Sequence, residues 1–408
     1  MINYKVFQDL IKTLDKYPTP TDLVYKYKFN HHELKGIYKN KLSDERFIKL
    51  ELKSENSNPL IYLDSDYLAN KLDDAENLLV GLNSSNLWDI SDEDLVNGFV
   101  FSEIESSLAI EGVRSTRAKI EKISKLTYQE LTTDNERVVK NMIEAYNYVQ
   151  DKDITIDNIY TLYNILSKDC LKEDEKLKSD NYYRHDGVNI VGNNERVVDT
   201  GVDYKYLEKG MNNLLTYINS PKTKTEQIFT PHIIHYYTIY LHPYFDFNGR
   251  MARVLSHWYS TRYAPYLSLL FISEAINNKN NKHKYYNAIT YSRQTNNDIT
   301  FFIEYIADII IEYSIIYTNY YLIYDQLEGN GNSIPRALQV TLKNVLAMPV
   351  VGDGFFNWKK YAAFSNDDYS KVLYLKHLNQ LVNLDVLKVK KQKNANQYII
   401  NKKKWDLY

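Results

Sequence analysis

The chain has little cysteine: Cys170 is the only one in 408 residues. No intrachain disulfide can form, which suits a reducing compartment. It also lacks any run of about eighteen uninterrupted apolar residues, so no transmembrane span is expected. The opening Met-Ile-Asn-Tyr-Lys-Val-Phe has no apolar signal core. These absences predict a cytoplasmic protein with no membrane partner. Net charge is also small, because 50 Lys and Arg face 52 Asp and Glu, a formal −2. That excludes a global pull toward nucleic acid or anionic lipid and leaves only local basic patches. No internal repeat is visible.

Hydrophobic content of 44% and charged content of 25% are those of an ordinary globular protein. The length allows two or three domains. Tyrosine is abundant, at 38 residues, and reads as compositional bias toward Tyr, Asn, Lys and Ile.

Residues 1–90 form a mixed N-terminal region. It is punctuated by Pro18-Thr-Pro20 and Asn56-Ser-Asn-Pro59, with helices near 7–16 and 66–81 and a short strand at Ile61-Tyr-Leu. Ser91-Asp-Glu-Asp94 fits a capping box, opening a helix that runs to Glu111 with Gly112 as its C-cap. Helices are expected near 116–124, 133–150, 155–169, 203–219, 231–241, 249–262, 282–292 and 297–326. Between them, Val188-Asn-Ile-Val191 and Arg196-Val-Val198 flank a Gly192-Asn-Asn turn and read as a β-hairpin. Gly329-Asn-Gly-Asn-Ser-Ile-Pro335 is a linker. It separates a core at 91–328 from a module at 335–408, whose order of three helices and a hairpin (386–389, 397–400) suggests a winged helix-turn-helix.

The segment His242-Pro-Tyr-Phe-Asp-Phe-Asn-Gly-Arg-Met-Ala-Arg253 concentrates chemistry. Pro243 ends one helix and places His242 at its terminus, where an imidazole can take a proton at neutral pH. A second helix starts near Asn248-Gly249, and its free amides and positive dipole end attract an anion. Arg250 and Arg253, three apart, share one face there, and their guanidinium forks suit phosphate oxygens. Asp246 is placed to hold a magnesium ion against those phosphates. Taken singly, Asp246 could be a plain N-cap, the arginines solvated or structural, and His242 a core histidine. Their shared small volume favours a site.

In the preceding helix, Ile104, Ser107, Leu108 and Glu111 make one stripe. Glu111 thus continues a partly apolar face in the last turn, where its charge opposes the dipole. The residues alone leave two readings, a frayed end in water or a buried acid with a cationic partner.

The twelve-residue segment resembles the Fic family signature His-Pro-Phe-x-(Asp/Glu)-Gly-Asn-Gly-Arg-x-x-Arg, and the resemblance extends over roughly 95–325. It implies a mainly α fold, a Fic-type helical core with a β-hairpin flap, which transfers AMP from ATP to Ser, Thr or Tyr hydroxyls of proteins, itself included. By this resemblance His242 is the general base and Asp246 holds Mg²⁺. Asn248, Gly249 and Arg250 line the anion turn, and Arg253 receives the γ-phosphate. Tyr285 and Tyr286 resemble a tyrosine pair near the adenine. Val188, Asn189, Ile190 and Val191 resemble the flap that docks a target segment by strand addition. Ser107-Leu-Ala-Ile-Glu111-Gly112 resembles the family's inhibitory motif, in which the glutamate pairs with the second arginine of the signature, here Arg253. Two residues depart from the pattern. Tyr244 stands for Phe, an easy exchange if its hydroxyl finds a partner. Phe247 stands for a small residue, at a cost of about 1–2 kcal/mol if its φ is positive.

Other signals are fainter. His232, His235 and His242 could share a helical face and hold zinc. Lys388, Lys390, Lys391, Lys393 and Lys402 to Lys404 could meet DNA phosphates or simply face solvent. The function expected is therefore a Mg²⁺-dependent protein adenylyltransferase restrained by Glu111. The alternatives are a deAMPylase, a transferase with another nucleotide donor, or a nucleotide-sensing, DNA-binding regulator with a weakly active core. A homodimer is open.

Overall fold

Helix boundaries follow local chemistry closely in this chain. Thr19 and Asn30 each cap a helix with the side chain and donate their own amide to the acid three residues on, opening α2 (Pro20–Tyr25) and α3 (His31–Lys41) after α1 (Ile2–Thr13). Neither α2 nor α3 was expected, although their capping boxes stand in the sequence. Strands β1 (Phe47–Lys53) and β2 (Pro59–Leu63) form an antiparallel pair in which β2 contains the expected Ile61-Tyr-Leu. The computed structural model describes residues 2–14, 16–84, 93–191, 197–263, 272–332, 334–348, 354–365, 369–391, 396–405 and 407. The expected Ser91-Asp92 cap, the Gly192-Asn-Asn194 turn and Lys393 lie outside the described residues.

The helical body comprises α4 (Asp66–Ser84), α5 (Glu93–Ile110), α6 (Arg117–Ser124), α7 (Asp134–Val149) and α8 (Ile156–Ser167). The hairpin β3 (Asn189–Val191) and β4 (Val197–Thr200) follows. Then come α9 (Leu207–Asn219), α10 (Lys224–Leu241), α11 (Asn248–Tyr263), α12 (Ile272–Asn277), α13 (Lys279–Gln294) and α14 (Thr300–Gly329). Helix α10 corrects one expectation. It starts not at Pro231 but at Lys224, behind a Thr223–Glu226 capping box, and runs through the proline. The capping box sets the start, and Pro231 costs the helix one amide rather than ending it.

Helix α14 is the spine, flanked by α4, α13 and α15 (Arg336–Ala347). After α15 come α16 (Trp358–Phe364), α17 (Lys371–Asn383), the hairpin β5 (Leu387–Lys390) with β6 (Gln397–Ile400), and α18 (Lys402–Trp405). Phe356 adds an antiparallel bridge to Tyr398. This unit shares one continuous apolar cluster with the helical body, from Leu52 to Trp405. A smaller cluster holds the N-terminal elements together and closes on Phe301 of α14. At its centre the buried Lys41 pairs with Asp298 at 2.7 Å, and Phe7, Tyr17, Tyr38 and Phe47 surround its ammonium. Among the described residues, no helix is long and apolar enough to cross a membrane.

Candidate active site

Helices α10 and α11 pack side by side, and the loop 242–247 joins them. His242 ends α10 in a left-handed conformation (φ 49°, ψ 61°), with its amide still bonded to Thr238 O. Its Nδ1 is buried without a hydrogen-bond partner. Burial, with the charges of Arg184 and Arg293 behind it, pushes the imidazole down to about 4. The ring is therefore neutral at pH 7 and able to accept a proton.

The loop is braced from within. Asn248 Oδ1 accepts from Tyr244 N at 3.0 Å, and its Nδ2 donates to Tyr244 O at 2.8 Å. The buried Asn248 side chain thus holds the loop's shape, and only its backbone is left to line the anion turn. Tyr244 stacks flat on Tyr163 at 3.7 Å, but its buried hydroxyl finds no partner. Phe247 has φ 69°, so the strained alternative holds. Its ring is buried beneath the Arg250 guanidinium, 3.7 Å from it, which gives the bulky side chain a role a glycine could not fill.

Helix α11 starts with Asn248, and its first bond runs from Met251 N to Phe247 O. The amides of its first turn point out of the helix end. Arg250 is buried, its Nε has no partner, and its Nη2 lies 3.5 Å from Asp246 Oδ1. Asp246 is half exposed and takes the Phe247 amide on Oδ1. Among the described residues, no group of three or more His, Cys, Asp or Glu is placed to hold a metal ion. A half-exposed carboxylate beside Arg250 and the amide end of α11 nevertheless fits magnesium, which takes few protein ligands and completes its shell with phosphate and water.

The Glu111 carboxylate lies at the start of α11, against Gly249 and Arg253. Helix α5 ends in a Schellman turn, with Gly112 at φ 81° and Val113 N bonded to Leu108 O at 2.9 Å. This turn delivers Glu111 onto the start of α11. A Cβ on Gly249 would meet Glu111 Oε1 closer than real contacts allow. The same oxygen accepts from Arg253 Nη2 at 2.5 Å, while Arg253 Nε donates to Ser107 Oγ at 2.7 Å and Nη2 to Ser107 O at 3.3 Å. Arg253 is almost wholly buried, and Glu111 keeps 31% of its side chain exposed. Burial alone would raise the Glu111 carboxyl, but Arg253, Arg250 and Lys282 outweigh it and hold the group below its ordinary range. The frayed alternative for Glu111 is thereby set aside.

Tyr285 is buried and hydrogen-bonds His235 Nε2 at 2.7 Å, so its ring belongs to the core, whereas Tyr286 beside it is 37% exposed. His232 and His235 line a small polar cavity with Glu103, Arg253 and His257, and His242 is not among its residues. The three-histidine zinc face does not form. In the hairpin, Asn189, Ile190 and Val191 pair with Thr200, Asp199 and Val197, and Val188 O accepts from Gly201 N at 2.9 Å.

Three residues of the site had escaped the sequence. Lys282 Nζ caps α5 at Ile110 O, 3.0 Å away, close to Glu111. Glu103 accepts from Ser273 N at 3.0 Å and from its hydroxyl, and burial pushes it up to about 7. Arg184 is buried against the His242 loop. Their partners are backbone groups or distant residues, so no local spacing marks them.

Residues 153–260 match the sequence profile of the Fic/DOC family. The fold is similar to a Fic family protein from Desulfovibrio desulfuricans, with a TM-score of 0.53 and 16% identity over 83% of this chain and 97% of that one. A fragment of Fic-1 from C. elegans is similar at 16% identity and TM-score 0.42, over 62% of this chain and 72% of that one. A Fic domain containing signaling protein from Bacteroides thetaiotaomicron gives 15% and 0.41, over 65% and 99%. No curated protein matches the sequence. The profile spans the hairpin, the His242 loop and most of α11, so residues 153–260 are similar to the Fic/DOC family, and the fold around them is mainly helical and Fic-type.

Proposed function

We propose that this protein transfers AMP from ATP to a Ser, Thr or Tyr hydroxyl of a protein and that Glu111 restrains the transfer. The observation that carries the reading is the seat of the Glu111 carboxylate. It lies on the N-terminus of α11 and against Arg253, the place and partner a terminal phosphate would take. The Fic family generally consists of nucleotidyltransferases, AMP-transferring enzymes among them.

In this reading the α11 amides, Arg250 and Arg253 hold the triphosphate. Arg250, with an unpartnered Nε and a stacked guanidinium, is already poised for it. Bound at Asp246, Mg²⁺ would neutralise phosphate charge. His242 takes the proton of the target hydroxyl. That oxygen bonds to the α-phosphorus, the bond to the β-phosphate bridge breaks, and pyrophosphate leaves. Tyr286 offers an edge to adenine. The Val188–Val191 strand offers its backbone to an extended target segment. While Glu111 stays in place, the γ-phosphate is excluded from Arg253 and ATP binds out of line.

Intact-mass measurement after incubation with ATP and Mg²⁺ tests this. The Glu111→Gly protein should gain the mass of one or more AMP groups, and Glu111→Gly/His242→Ala should gain none. Absence of AMP on the folded, ATP-binding Glu111→Gly protein and on added protein targets overturns the transferase reading.

A further inference from the structure

We propose that Arg184 is a positioning residue that fixes the flap hairpin and His242 as one unit, so that a docked target hydroxyl and its base stay in register; this rests on the transferase reading above. The Arg184 side chain is buried, with 2% exposure, yet has no carboxylate partner among its hydrogen bonds. Its fork is spent on carbonyls instead. Nε donates to His242 O at 2.7 Å, Nη1 to Asp186 O at 2.6 Å and Nη2 to Val202 O at 2.5 Å, with Leu241 O at 3.5 Å. Its own amide donates to Pro243 O at 2.9 Å.

These acceptors fall into two sets. Asp186 and Val202 bracket the hairpin at its two roots, just outside Val188 and Gly201. Leu241, His242 and Pro243 form the end of α10, where the base leaves the helix with positive φ. A left-handed residue before proline costs free energy and persists only where its surroundings hold it. One guanidinium, rigid and planar, supplies that hold and spans both sets, which a lysine cannot do. A desolvated cation with no carboxylate in its hydrogen bonds is also expensive, and Asp203, Asp186 and Glu55 offset that only through space. The contact is tight, since a Cβ on Gly201 would lie 2.7 Å from Arg184 Nη2 and 2.7 Å from Val188 Cγ1. The charged groups that act on His242 are Arg184, Arg293 and Glu111.

The test uses the full chain with Glu111→Gly as parent and compares Arg184→Lys, Arg184→Gln and Gly201→Ala. The last presses on the guanidinium from the hairpin side. Readouts are kcat and KM for ATP and for a protein target, the pH profile, and the His242 imidazole titration by NMR. In Arg184→Lys and Gly201→Ala, kcat for transfer should fall about tenfold or more, with KM for ATP within about twofold of the parent. In Arg184→Gln the His242 titration should also move up, because the nearby charge is gone. A merely structural role would lower the melting temperature and leave the titration, the profile and the KM-against-kcat split unmoved. That result in Gly201→Ala and in either Arg184 variant overturns the proposal. If the parent transfers no AMP, the transferase reading fails separately. The titration and the amide exchange of residues 188–190 in the same proteins then still decide whether Arg184 couples hairpin and base. Unaltered exchange and titration in the variants would refute it.

Discussion

Glu111 Oε1 and Arg253 Nη2 lie 2.5 Å apart although 142 residues separate them in the chain. Arg253 is buried while Glu111 is only partly so, and this asymmetry decides what removing the acid does. Glu111→Gly leaves a buried cation without its counter-ion, so the nucleotide-free protein should lose about 1–3 kcal/mol. A bound triphosphate supplies the missing charge. Thermal melts should therefore show a larger rise with ATP and Mg²⁺ in Glu111→Gly than in the wild type, and equal rises would argue against competition at Arg253.

Gly249 and Glu111 should be energetically coupled. Gly249→Ala drives a methyl into the carboxylate. In the wild type the substitution should destabilise by about 1–3 kcal/mol, and in Glu111→Gly by at least about 1 kcal/mol less. A double-mutant cycle by denaturant unfolding without nucleotide reads the difference. An interaction energy near zero would place Glu111 elsewhere.

The pH dependence has a definite sign. His242 is lowered from 6.5 to about 4, His257 likewise to about 4, and His232 to about 3. Below pH 6.5 the unfolded chain binds protons that these three buried rings refuse, which raises stability with pH in that window; Glu103, pushed up to about 7, works the other way between 4.5 and 7 but is one group against three. Glu111 adds in the same direction. Its folded value is depressed, so its stabilisation is present above 4.5 and is lost as pH falls further. Melting temperature should drop by several degrees between pH 6.5 and 4.5. Transfer by Glu111→Gly should hold to about pH 5 and fade only toward about 4, where His242 is charged. A midpoint near 6.5 in the rate profile would mean that His242 is not buried as described.

The two departures from the family signature behave differently. Tyr244 buries a hydroxyl without a partner, so Tyr244→Phe should gain about 1 kcal/mol in unfolding free energy. Phe247→Gly relieves the left-handed strain of about 1–2 kcal/mol but removes the ring under Arg250, a core truncation of about 3–5 kcal/mol. Net destabilisation should result, with KM for ATP raised several-fold. Calorimetry and initial rates check both. A Phe247→Gly protein as stable as the wild type would leave the Phe247–Arg250 stack without energetic weight.

The parts of the site that were legible in the sequence are those set by short-range rules. Pro243 after His242, the helix start at Asn248 and the Gly112 turn each follow from neighbours, and the structure keeps all three. The sign of φ at Phe247 could only be posed as a question, because it depends on how the loop closes on Asn248. Glu111 was marked as an odd acid on an apolar stripe, but its partner came from resemblance, since no pattern reports a contact 142 residues away. Arg184 was invisible for the same reason, with carbonyls as its partners. Helix α10 begins seven residues before the expected 231, at the Thr223–Glu226 box, and α2 and α3 open on capping boxes of the same kind among prolines and polar residues.

One measurement bears most directly on the restraint. Wild type, Glu111→Gly and Glu111→Gly/His242→Ala are incubated side by side with Mg²⁺ and ATP labelled at the α-phosphate, and protein-bound label is followed with time. Glu111→Gly should incorporate label at least about tenfold faster than the wild type, equivalent to about 1.4 kcal/mol, and the double variant should incorporate none. Equal labelling of wild type and Glu111→Gly, or persistent labelling without His242, would contradict the account.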